Sequence, residues 1–88
     1  MKISHYVDPG HSWYAVKRTT IEKLKLLDKV SPYSYQKGDT VYLEEDCDAS
    51  LILDALEATG IKLDISTVHH DLVGMGESWI RSCDSYRA

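Results

Sequence analysis

Residues 2–7, KISHYV, alternate polar and apolar side chains and are rich in β-formers, and residues 12–17, SWYAVK, do much the same. A period of two sends successive side chains to opposite faces of a strand. Between the two runs lies Asp8-Pro9-Gly10-His11. Proline fixes φ and glycine supplies positive φ, so this stretch predicts the tight turn of a hairpin. The period then lengthens. Thr19-Thr20-Ile21-Glu22 has the form of a capping box. Ile21, Leu24, Leu27 and Val30 follow at three-residue steps, a stripe that predicts a helix over about residues 20–30. Ser31-Pro32 should end it, because a residue before proline avoids the α region.

Alternation returns in YSYQKGDTVYLEE, residues 33–45. Tyr33 and Tyr35 stand against Ser34 and Gln36, Lys37-Gly38-Asp39 makes a turn, and Thr40 to Leu43 is β-rich. This predicts a second hairpin, or a turn leading into one strong strand. In EEDCDAS, Asp46 or Asp48 is a natural N-cap, and the acidic side chains also suit the positive end of a helix. That helix runs through Leu51, Ile52, Ala55, Leu56 and Thr59, with Gly60 as its C′ residue. Ile61, Leu63 and Ile65 alternate with Lys62, Asp64 and Ser66 and read as a further strand. LVGMGES, residues 72–78, reads as a loop, and Trp79-Ile80 as the start of a last short strand before a polar tail. The order ββ-α-ββ-α-β predicts a single α+β domain over residues 1–88, with a mainly antiparallel sheet and two helices packed on one face.

Composition narrows the function classes. A chain of 88 residues supports one modest core, and dimerisation is a common remedy for the marginal stability that follows, so a homodimer is one expectation. With 43% apolar and 27% charged residues the chain is not of disordered type. A net charge of −4 disfavours general binding to nucleic acid or a membrane surface. No apolar run approaches the roughly eighteen residues of a membrane span, and MKISHYVDPG is not a signal peptide. The expectation is a cytoplasmic protein in which Cys47 and Cys83 are free thiols.

Charge is unevenly placed. From Gly38 to Ile61 the chain carries Asp39, Glu44, Glu45, Asp46, Asp48, Asp54 and Glu57 with no lysine or arginine, whereas Lys17, Arg18, Lys23, Lys25 and Lys29 crowd the first helix. The acidic stretch has two readings. One is a solvated helix start. The other is a contact surface for a basic partner, formed by Glu44, Glu45, Asp46 and Asp48 with Tyr33, Tyr35 and Tyr42 as apolar anchors. It lacks the frame of a calcium loop. Cys47 stands at a helix start, which lowers a thiol pKa, but among carboxylates that disfavour the thiolate. A metal site is the alternative: His5, Asp8 and His11 bracket the first turn as HxxDxxH, and His69 and His70, with Asp71, join them if the fold brings them near. The plainer reading has Asp8 and His11 bonding the turn backbone and His5 at the sheet edge. A third reading is a nucleic-acid module built on the basic helix with Trp13 and Tyr14, which the acidic half opposes. No motif for a cofactor or a catalytic triad is present, and neither an enzymatic activity nor a cofactor is expected.

The succession of HYVDPGHSWYAV, YSYQKGDTVYLEEDCD, a short helix and His69-His70 resembles a group of small accessory proteins encoded by bacteriophages and prophages. The resemblance implies a non-enzymatic protein that acts by binding a host protein with a basic surface, in the manner of inhibitors of host defences such as CRISPR or restriction systems. It implies no catalytic residues.

Overall fold

The computed structural model describes residues 1–69 and 78–88. Strands β1 (Lys2–Val7), β2 (Ser12–Lys17), β3 (Tyr35–Lys37), β4 (Thr40–Glu44), β5 (Asp64–His69) and β6 (Asp84–Ser85) form one sheet in the order β5-β1-β2-β4-β3-β6. All pairs are antiparallel except β1 with β5, which are parallel from Lys2↔Asp64 to Val7↔His69. Helices α1 (Arg18–Lys23) and α2 (Ser50–Ala58) lie on one face, as the patterning predicts, in an α+β fold. Their buried Ile21, Ile52 and Leu56 meet Ile3, Val16, Val41 and Leu43 of the sheet in an aliphatic core. Among the described residues no helix is long and apolar enough to cross a membrane.

The opposite face is covered as well. Trp13 and Tyr42 point there by strand alternation, and Ile80, from a short 3-10 turn at Trp79–Ser82, packs over them. The strand expected at Trp79-Ile80 is therefore a correction. The Ser78 hydroxyl accepts a hydrogen bond from the Ile80 amide, capping a turn where patterning suggests extension, and the last strand is β6 instead. The LVGMG loop, His70 and Asp71 lie outside the described residues.

The first hairpin forms with Ser4↔Ala15 through Val7↔Ser12 in register. Its turn is organised by Asp8, whose Oδ1 accepts from the amides of Gly10 (3.0 Å) and His11 (2.9 Å), an Asx-type arrangement. Positive φ was the expected reason for Gly10, yet among the described glycines it occurs at Gly38 (58°) and Gly60 (89°). A Cβ at Gly10 would sit 3.0 Å from Nη2 of Arg81, so the guanidinium would have to give by a few tenths of an ångström. Gly60 does end α2 as expected, its amide bonding the Glu57 carbonyl at 2.9 Å.

The first helix departs most from its pattern. It runs only from Arg18 to Lys23, with Lys17 at the N-cap and no side-chain cap, so the threonine capping box is not used. Lys25 takes φ 61°. The Leu26 amide then reaches the Ile21 carbonyl (3.2 Å) and the Lys25 amide reaches the Glu22 carbonyl (2.9 Å). These are the two bonds of a Schellman cap, with Leu26 and Ile21 as its apolar contact. A 3-10 turn at Leu27–Lys29 follows. The stripe still reaches the core: Ile21 and Val30 are buried, and Leu24 and Leu27 pack against them.

Candidate functional site

β4 leaves the sheet at Glu44, opposite Trp13 of β2. Alternation sends Leu43 into the aliphatic core and Glu44 to the aromatic face. There the chain makes a wide π-type turn, Glu45–Ala49, before α2. A cavity of about 250 Å³ opens at this corner, with Trp13, Tyr33 and Tyr35 as aromatic wall and rim and with His11, Glu44, Asp46, Cys47 and Arg81 as polar lining. Tyr33 stands 74% exposed at the mouth, whereas Trp13 is only 1% exposed. The Trp13 ring stands edge-on to Tyr35 with centroids 6.2 Å apart, and the Arg81 guanidinium carbon lies 5.5 Å from its centre. The indole Nε1 is buried and has no hydrogen-bond partner among the described residues.

Glu44 is the electrostatic centre of this corner. Its Oε2 accepts from the Asp46 amide at 2.9 Å, which caps the turn that follows. Its Oε1 lies 3.4 Å from Nδ1 of His11, and Cys47 lines the same cavity. The Glu44 carboxylate, followed by burial and the charges of Asp48 and Asp46, raises the Cys47 pKa above the ordinary thiol value. The raised value favours the thiol form of this exposed cysteine.

The expected contact residues divide. Tyr33, Tyr35, Glu44 and Asp46 meet at the cavity. Tyr42 is 8% exposed and belongs to the aromatic packing of the second face. There it stands edge-on to Trp79 at 5.2 Å. Glu45 accepts a hydrogen bond from the Ser12 hydroxyl. Asp48 is neither a contact residue nor the cap, since it is 2% exposed. Its oxygens accept from the Ser31 amide (2.9 Å), the Ser31 hydroxyl (2.7 Å) and the Ser34 hydroxyl, pinning the loop before β3 to the start of α2.

The histidine cluster predicted from HxxDxxH does not assemble among the described residues. Asp8 is committed to Arg81, whose Nε and Nη2 donate to Oδ2 (2.7 Å) and Oδ1 (3.0 Å), while the Ser78 amide donates to Oδ2 at 2.9 Å. This cradle holds the Asp8 carboxyl well below the usual aspartate range, Arg81 contributing most. His5 stacks on Tyr14 with centroids 4.2 Å apart and planes at 11°. Its Nδ1 lies 3.3 Å from the Thr67 hydroxyl. Burial lowers its pKa, with Glu45 raising and His69 further lowering it. His11 lies near Glu44 instead, and His11, Glu44 and Asp46 each offer a donor atom within 4.8 Å of the other two. Neither this grouping nor the part played by Arg81 is visible in the sequence, since both depend on pairings across the sheet.

The chain matches no protein-family model, no curated protein and no solved structure. Carboxylates beside aromatic faces form an environment for a cation, since rings present a negative face and oxyanions supply the charge.

Proposed function

We propose that this protein is a non-enzymatic binding module that captures a basic surface of a partner protein, taking one of its lysine or arginine side chains into the cavity beside Glu44. One observation supports this above all. Glu44 is 6% exposed, yet among the described residues its ion-pair partner is only His11, at 3.4 Å. A buried carboxylate without a strong counter-charge is costly. A cationic side chain from outside would offset that cost, with its stem along Tyr33 and Tyr35 and Asp46 as a second anionic contact. In the setting that the resemblance implies, the partner is a host protein, and its capture blocks a host defence.

The test uses short neutral-backbone peptides that carry one arginine, one lysine or one glutamine, titrated into the full chain and followed by amide chemical shifts. The arginine and lysine peptides should move the signals of Tyr35, Asp46 and Cys47, more weakly as salt rises. Asp46→Lys should abolish the shifts and leave the spectrum of a folded protein. Equal response to the glutamine peptide, or an unaffected Asp46→Lys, would refute the reading.

A further inference from the structure

We infer that His11, Glu44 and Asp46 form a divalent-metal site at the mouth of this cavity, suited to zinc or a similar first-row ion. The spacing is the first ground. Nδ1 of His11 and Oε1 of Glu44 stand 3.4 Å apart, too long for the charge-assisted hydrogen bond of about 2.7–2.9 Å that an imidazolium and a carboxylate would make. Two donors held roughly 2.0–2.1 Å from one tetrahedral zinc ion would themselves be separated by about 3.3–3.4 Å. A donor atom of Asp46 completes a set whose members all lie within 4.8 Å of one another.

The way these residues are held is the second ground. Glu44 is 6% exposed at the end of a central strand. The Asp46 amide occupies its Oε2, so one carboxylate oxygen is fixed and oriented while the other faces His11, the division of labour that orients metal ligands elsewhere. His11 in turn is set by the Asp8-organised turn, since its own amide donates to Asp8 Oδ1 at 2.9 Å. Three donors are thus brought together by the β2–β4 register, the Asp8-organised turn and the π-type turn after β4.

Charge balance is the third ground. Two carboxylates and a neutral imidazole are matched by one divalent ion, which supplies the counter-charge that Glu44 lacks. The mixed nitrogen and oxygen set suits zinc or manganese better than calcium, which favours oxygen ligands.

The ion takes the same Glu44 and Asp46 carboxylates as the cationic side chain, so the two are alternative occupants of one site, and metal uptake does not depend on a protein partner. It is tested by calorimetric titration of zinc, manganese, calcium and magnesium ions into the full chain after chelator treatment. One equivalent of zinc should bind at least tenfold more tightly than calcium, with affinity falling as acid protonates the ligands. His11→Gln and Asp46→Asn change exposed residues and should each weaken zinc binding tenfold or more, with the amide spectrum of the native fold retained. Tyr33→Ala should leave zinc affinity unchanged while weakening the arginine peptide, which separates this site from the binding reading above. Absence of saturable zinc uptake, or wild-type affinity in both ligand variants, would overturn the assignment.

Discussion

Two buried carboxylates flank the same strand-to-helix corner, and they are finished to different degrees. Asp48, at 2% exposure, receives an amide and two hydroxyl donors. Glu44, at 6%, receives one amide and a distant imidazole. Ser34 sits between them, its hydroxyl accepting from the Glu44 amide and donating to Asp48. One charge has been satisfied from within the chain, and its role is to hold a loop. The other keeps an oxygen turned to an open cavity. Acidity is therefore a poor guide to function along this stretch. The number and strength of the donors around each oxygen separate a structural acid from an available one.

Asp8 is a third buried carboxylate and the most fully paired, so breaking it should have the largest effect. Arg81→Met keeps much of the stem and removes the guanidinium, leaving Asp8 without its counter-charge at a site where its side chain is 0% exposed. A loss of about 3 kcal/mol is expected in chemical denaturation at pH 7. The acid limb should change too. The folded pKa of Asp8 lies below its unfolded value, so its contribution is present above about pH 4 and is lost as pH falls through the folded value. Denaturation at a series of pH values should therefore show wild type losing stability below about pH 4 more steeply than the variant.

Asp48→Asn ranks next. The amide keeps one acceptor oxygen and turns two N–H donors toward serine hydroxyls and an amide that already donate, for a loss of about 2 kcal/mol. Glu44→Gln ranks last. It removes a buried and weakly paired charge while preserving shape, so stability should change by less than about 0.5 kcal/mol or rise slightly. The comparison fails if Glu44→Gln costs as much as Asp48→Asn in the same denaturation assay.

Much of the fold is legible in local pattern. The first hairpin, the β3–β4 hairpin, α2 and its Gly60 terminus carry period-two runs, a two-residue Gly38-Asp39 connection and a C′ glycine, and the structure contains each. The short first helix is not legible. Its Schellman cap sits on Lys25, a residue that pays a steric cost in the left-handed region and gives no warning in the sequence. The strand expected from Ile61 starts at Asp64, and its parallel pairing with β1 is a long-range choice that alternation does not encode. At the site, the acidic stretch is visible as a region, but strand parity decides which acids enter the cavity. Glu44 faces the aromatic side because Leu43 faces the helices, and the π-type turn then disperses Glu45, Asp46 and Asp48 to three different surroundings.

The Asp8–Arg81 clamp joins residues 73 positions apart, and it has a consequence for the order of events during synthesis. The pairings of the first hairpin and of Glu44 with Trp13 are close in sequence. The guanidinium that lies over Trp13 emerges only after strands β1 to β5. Until then the hairpin turn lacks the two Arg81 bonds to Asp8. The cavity is thus among the last features to mature, so a nascent chain should acquire its secondary structure well before it acquires a binding site.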